Sequence, residues 1–364
     1  LSAEEEMLAY FEDKKQKISA YLKEFLVEKG TRFSAINTLG KDVCDRIYDF
    51  AIQGKMIRGG LVSLGFTMSR NGHFPKAGPQ AMIRAGTAVE LFQSALLMHD
   101  DIVDRDQVRR GFGSVFYQYA QMADRAGIAD AYHLGESLGI CAGDIAYFLA
   151  FEVLSRLEID PPIYRRIQKL VSQELAYVSI AQMQDILWGA SNKSVTDEEV
   201  LRMYLYKTGR YTFSLPLMIG GLLAEQNEQT LTLLEKIGEN MGIIFQLKDD
   251  EIGLFGDQSE IGKPAGSDIR EGKKTLYYGL LQKRASSEDL ARIAYLIGNP
   301  DINDRDVRYY RNLVVRLGIF EEVRSLTETL ADKAGALIPW LPGFKLEDRE
   351  VLLKLLDYSL VRTR

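Results

Sequence analysis

Residues 79–105, "PQAMIRAGTAVELFQSALLMHDDIVDR", read as one helix. Its upstream residues Phe92, Ala95, Leu96, Leu97 and Met98 are apolar, so the aspartates that follow close an interior-facing stretch. Asp100 and Asp104 are four apart, which projects both carboxylates from one face, one turn apart. Asp101 points about a quarter-turn away. Two like charges at that spacing repel by a few tenths of a kcal/mol unless a cation lies between them. One reading is a solvated acidic helix end. The other is a magnesium site, because magnesium takes hard oxygen ligands, only one or two of them carboxylates, and completes its shell with water and phosphate oxygens. Arg109 and Arg110 follow at once in "DQVRRGFG". Guanidinium groups are suited to the phosphate oxygens that the metal leaves uncovered, so acids and arginines together point to a bound diphosphate.

The surrounding chain carries the same helical signature. Phe11, Ile18, Tyr21, Leu22, Phe25 and Leu26 make an apolar stripe at helical spacing. Ser2 with Glu5, and Thr196 with Glu199, have capping-box form. Turn residues cluster at "RNGHFPKAGP", "RRGFG", "EIDPP", "GASNKSVT", "FGDQSEIGKPAGSD", "GNPDINDRD" and "IPWLPGF". Alternating strand patterns are almost absent, and no linker, low-complexity tract or fixed repeat interrupts the 364 residues. The expected fold is all-α, a single large helical domain over residues 1–364.

Composition narrows the function. The chain is 46% hydrophobic and 26% charged, which suits a globular protein with a sizeable core. A net charge of −6 gives no basic field for nucleic acid or an anionic membrane. Cys44 and Cys141 supply neither a disulfide framework nor a cysteine zinc site, which suits a reducing cytoplasm. His73, His99 and His133 are too scattered for a histidine metal site. The opening "LSAEEEMLAYFEDKKQ" lacks the apolar core of a secretory signal. No uncharged run approaches the ~18 residues of a membrane span, so no stable membrane insertion is expected.

A diphosphate site needs more than one helix, and a second acidic pair exists. "MGIIFQLKDDEIGLFGD" sets Asp249 and Asp250 after another apolar helical run. In a helix bundle two such clusters can face each other across a cavity. Basic residues recur beside glycines and helix ends, where phosphates bind well: Lys55 and Arg58 in "GKMIRGGL", Lys207 in "YKTGRY", Lys263 in "GKPAGSD", Lys273 and Lys274 in "EGKKT".

From about Lys55 to Thr275 the sequence resembles the trans-isoprenyl diphosphate synthases, or polyprenyl synthetases. The ordered motifs are "GKMIRGG", "HDDIVDRDQVRRG", "AGDIAYF", "AQMQDI", "YKTG", "FQLKDD" and "GKPAGSDIREGKKT". The resemblance implies an all-α bundle around a deep central cavity, a homodimer, and magnesium-dependent head-to-tail joining of isopentenyl diphosphate to an allylic diphosphate. It implies Asp100, Asp104 and Asp249 as principal magnesium ligands, supported by Asp101 and Asp250. Arg109, Lys207 and Lys263 would hold the allylic diphosphate. Lys55, Arg58, Gln93 and Arg110 would hold isopentenyl diphosphate. Lys207, Thr208 and Gln246 would lie near the developing allylic cation, and the departed diphosphate would take the proton.

The sequence departs from the family pattern at Gly253, where a third aspartate is usual, and at Ala181, where glycine is common. Glu251 lies about 200° from Asp249 around the helix and cannot substitute. The residues that would floor the hydrocarbon pocket are Leu96 and Ala95, with Phe92 one turn deeper and Tyr147 or Phe148 on another helix able to close it. A small Ala95 points to a geranylgeranyl product of twenty carbons or somewhat more, with farnesyl diphosphate as the shorter alternative. A class I terpene cyclase and a silent subunit of a heteromeric synthase are the rival readings. The intact second acidic pair and Lys55/Arg58 argue against the cyclase, and the intact arginines against the silent subunit.

Overall fold

Helical periodicity becomes helix almost throughout the computed structural model, which describes residues 3–67, 76–191, 194–256, 266–341 and 346–362. The all-α expectation holds. Ser2, His73 and Lys263 lie outside the described residues. The chain packs as two compact units, Leu1–Arg166 with Ile219–Glu225, and Ile167–Met218 with Gln226–Arg364.

The first unit contains α1 (Ala3–Phe33), α2 (Leu39–Ile52), α3 (Ile57–Phe66), α4 (Pro79–Val103), α5 (Val115–Arg125) and α6 (Ala131–Ser155). α4 packs on α6, α3 and α1, and α5 packs on α6. Most of the apolar stripe of α1 is buried as its spacing requires, from Phe11 to Leu26, while Tyr21 is half-buried. Pro79 opens α4 after Gly78, where its missing N–H costs nothing. The helix stops at Asp104 because Arg105 turns left-handed, with φ +55°. A two-residue hairpin follows, Val108–Arg109 against Phe112–Gly113. Its central residues Arg110 and Gly111 both have positive φ, +54° and +80°, the type I′ geometry that matches strand twist. Strands this short show no alternation, so the sequence announces only the turn.

α6 is, among the described residues, the one helix long and apolar enough to cross a membrane by composition. The uncharged-run criterion passes over it because Glu136, Asp144 and Glu152 interrupt the sequence. It buries Ala142, Ala146, Leu149, Ala150 and Val153 and packs on α4 and α5, which is the behaviour of a core helix.

The second unit takes most of α7 (Pro161–Gly189), then α8 (Asp197–Tyr204), a wide π-helical segment Leu205–Ser214, and the start of α9 (Leu215–Leu223). It continues with α10 (Glu228–Phe255), α11 (Ser267–Arg270), α12 (Leu276–Arg284), α13 (Ser287–Leu296), α14 (Asp304–Arg316), α15 (Ile319–Leu337) and α16 (Leu346–Val361). The Thr196–Glu199 capping box forms reciprocally at the start of α8. α10 is central, packing on the π-helical segment, α15 and α16. Gly242 on α10 lies against Gly209, and a Cβ on Gly242 would overlap the Gly209 backbone. Only glycine lets the "YKTG" segment approach α10 this closely. Arg210, next in the chain, ties the segment down: it reaches Glu174 on α7 at 2.7 Å, and Glu235 and Glu239 on α10 at 2.8 and 2.5 Å.

Candidate diphosphate and metal site

At the end of α4, Asp100 and Asp104 are part-exposed while Asp101 is fully buried. Arg109 Nε donates to Asp101 Oδ1, and Arg109 NH2 lies 3.7 Å from Asp100 and 3.6 Å from Asp106. The hairpin therefore folds an arginine back onto the acids. Burial pushes the Asp101 carboxyl up to about 6 against the opposing effect of Arg109. Asp101 acts here as the anchor for Arg109, while Asp100 and Asp104 keep carboxylates toward solvent. That donor set fits magnesium, which needs few protein oxygens when phosphate supplies the rest. Among the described residues no three His, Cys, Asp or Glu side chains form a preformed metal cage.

A second cationic group forms around Glu90, which sequence reading missed. Glu90 is buried on α4 and its Oε1 accepts the Gly59 backbone N–H at 2.7 Å. It also accepts from the Arg58 backbone and faces the Arg58 and Arg110 side chains; burial raises its pKa. It thereby caps α3, whose own N-cap Met56 offers no side-chain oxygen and sits at φ +49°. Arg110 lies beside Gly54, with NH1 2.8 Å from where a Cβ would be. Thus Arg58 and Arg110 meet at one buried carboxylate, next to exposed Lys55. Gln93 lies three residues beyond Glu90 on the same helix and is part-buried.

Deeper on α4, Phe92 and Ala95 are fully buried and Leu96 is half-buried. The Phe92 ring lies 4.9 Å from Phe151 and 6.2 Å from Tyr147, both on α6. Phe148 is 71% exposed and lies outside this buried aromatic cluster. That corrects the sequence expectation: Phe148 lies a quarter-turn from Tyr147, whereas Phe151 follows Tyr147 by one helical turn on the same face.

In the second unit, Lys207 pairs with Asp185 of the "AQMQDI" motif. Thr208 Oγ1 donates to Gln246 Oε1 at 2.7 Å, and Gln246 Nε2 donates to Asp250 Oδ1 at 2.9 Å. Asp250 also accepts from the buried Tyr204 hydroxyl, which in turn accepts the Leu276 N–H at 3.0 Å. Burial, then the charge of Asp268, raises the Asp250 pKa well above the carboxylate range. Asp249 is the more open of the pair and is held by Arg362. The missing third aspartate also has an explanation in space. A Cβ at Gly253 would lie 2.8 Å from Asp268 Oδ2, so the Asp268 carboxylate occupies the place a side chain there would fill. Lys273 lies 3.7 Å from Asp268 and 2.6 Å from Glu271. Lys274 is buried over the Tyr278 ring at 4.4 Å, and burial lowers its pKa.

Residues 41–314 match the polyprenyl synthetase family. The chain belongs to that family.

Its relatives include a short chain isoprenyl diphosphate synthase of Methanocaldococcus jannaschii, 34% identical over 63% of this chain and 64% of that protein. The match thus spans just under two thirds of that relative's length. A geranylfarnesyl diphosphate synthase of Aeropyrum pernix is 29% identical over 79% of this chain and 86% of its own. Among solved structures, geranylgeranyl pyrophosphate synthase of Corynebacterium glutamicum, complexed with isoprenyl diphosphate and magnesium, has 27% identity and a TM-score of 0.90. That alignment covers 96% of this chain and 99% of the other. The polyprenyl synthetase fold is therefore present almost end to end.

Of the side chains that organise the candidate clusters in each unit of this polyprenyl synthetase, Glu90 and Phe151 in the first and Tyr204, Asp268 and Arg362 in the second escaped the sequence reading. Asp268 stood inside a quoted motif, and Phe151 was legible from its turn spacing to Tyr147. Nothing in the sequence singles out Tyr204 or Arg362.

Proposed function

We propose that this chain is a magnesium-dependent prenyltransferase that joins isopentenyl diphosphate head to tail with an allylic diphosphate, giving geranylgeranyl diphosphate or a somewhat longer product. The observation that carries this reading is the pairing of open aspartates with folded-back cations. Asp100 stands beside Arg109, and a separate pair of cations, Arg58 and Arg110, faces the buried Glu90. One anionic group is enough for the first set; the second basic group gives a second diphosphate its own place.

Asp100, Asp104 and Asp249 would hold the magnesium ions, with Asp101 and Asp250 supporting them through Arg109 and Gln246. Magnesium, when bound, would offset the charge that develops on the leaving diphosphate. Arg109, Lys207 and Lys263 would bind the allylic diphosphate, and Lys55, Arg58, Gln93 and Arg110 isopentenyl diphosphate. Fixed cations of this kind favour the charge as it appears and need no reorganisation during reaction. The Thr208–Gln246–Asp250 chain fixes the Gln246 amide, so the polar groups beside the allylic carbon keep one orientation. Buried apolar side chains such as Phe92 and Ala95 would shelter the hydrocarbon from water. The two units would act as one catalytic domain.

The purified protein, given magnesium, isopentenyl diphosphate and dimethylallyl, geranyl or farnesyl diphosphate, should form a twenty-carbon or longer diphosphate on mass spectrometry, and none with a chelator present. If isopentenyl diphosphate is never consumed, the proposal fails. The Phe92–Phe151 contact would set the floor. Phe92→Ala removes a six-carbon phenyl ring, more than the five carbons of an isoprene unit. Its product should be longer by about one or more units, and an unchanged product would place the floor elsewhere.

A homodimer belongs to the same reading. Ile140 and Phe148 are exposed on α6, and Ile180, Met183 and Leu187 form an exposed apolar face on α7. Such faces suit burial against a second copy. Light scattering at the mass of one 41.1 kDa chain would remove this part of the proposal. A cytoplasmic location fits the two free cysteines, Cys44 and Cys141.

A further inference from the structure

Arg362 follows the last turn of α16, its backbone N–H bonded to Tyr358 O at 3.0 Å. Its side chain crosses to α10. There NH2 donates to the Phe245 carbonyl at 2.9 Å and to Asp249 Oδ1, while the guanidinium sits 3.8 Å from the Phe245 ring centroid. Phe245 and Asp249 are four apart, so one helical face presents a ring, a carbonyl and a carboxylate to a single cation. The arginine is the buried partner, with 7% of its side chain exposed against 43% for Asp249. The cation is fixed and the carboxylate looks outward.

We infer that Arg362 is a positioning residue for the second aspartate cluster: it holds one oxygen of Asp249 so that the carboxylate faces a magnesium–diphosphate ligand in a single orientation. The geometry supports this. The guanidinium is held by the Phe245 carbonyl and lies against the Phe245 ring, so the Asp249 oxygen it binds is tied to a fixed point on α10. A stacked guanidinium makes both contacts in one plane, which an ammonium cannot do. The inference gives a role to a region that carries no family motif. It rests on the reading of Asp249 as a magnesium ligand.

The test is calorimetric titration of magnesium into the full chain with inorganic pyrophosphate present, comparing wild type with Arg362→Gln and Arg362→Lys. Wild-type binding itself tests the underlying reading; the comparison tests the inference. Loss of a side chain that orients a metal ligand weakens affinity about 10- to 100-fold. Arg362→Gln should show that loss, and half-saturating magnesium in turnover should rise while KM for isopentenyl diphosphate holds. Arg362→Lys should lose several-fold. Affinity equal to wild type, or higher because the arginine competes with the metal, overturns the inference. If Arg362→Gln does not fold, Arg362→Lys decides alone: an undiminished affinity rejects the role.

Discussion

Asp100→Asn should lower turnover by about a thousandfold while leaving the fold intact. Asparagine keeps the shape of the side chain and removes the charge that would hold magnesium against the diphosphate. Removing one preorganised contact to developing charge typically costs 10²–10³ in turnover, about 3–4 kcal/mol. Stability should move the other way. Asp100 and Asp104 repel across one turn, and relieving that pair returns a few tenths of a kcal/mol. Arg109 keeps its main partner, Asp101, so the hairpin stays docked. Steady-state turnover at saturating magnesium, read beside the thermal midpoint, checks both halves. A loss smaller than tenfold would mean that Asp100 does not hold the metal.

Arg210→Met should destabilise the protein by about 3–5 kcal/mol, the cost of removing one partner from a buried ion pair. Three carboxylates converge on this guanidinium, and Glu174 among them is 2% exposed. Their charge would then be uncompensated. The pH dependence follows from Glu239, whose pKa is already raised by burial and is held down by Arg210. Without the arginine it rises further above its unfolded value. A carboxylate raised in the folded state binds its proton more tightly there, so it favours folding at low pH and loses that advantage as pH rises through the folded pKa. The deficit of Arg210→Met against wild type should therefore be largest at neutral pH and shrink toward acid. Because Arg210 adjoins Lys207 and Thr208, turnover should fall as well. Denaturant melts at several pH values would refute this account if the deficit were constant or grew on acidification.

The helical architecture was legible because it is local physics. An apolar stripe such as Phe11 to Leu26 must find a core, and a box such as Thr196–Glu199 starts a helix wherever it stands. The candidate site was legible for a related reason. Asp100 and Asp104 share a face by spacing alone, and the motifs from "GKMIRGG" to "GKPAGSDIREGKKT" lie in family order. Spacing could not say which carboxylates stay open. Asp101 and Asp250 are as acidic in sequence as their neighbours, yet Arg109 holds one of them, and Tyr204 and Gln246 the other.

What the tertiary structure alone decided are contacts between residues far apart in the chain. Glu90 caps a helix 31 residues earlier. Asp268 fills the place left by Gly253, and Arg362 reaches Asp249 across 113 residues. Phe148 reads as a pocket residue until the rotation of α6 turns it outward and puts Phe151 against Phe92. Helix periodicity fixes which residues share a face, because hydrogen bonding sets the turn. Which partner that face meets depends on packing among many helices, and no local pattern encodes it.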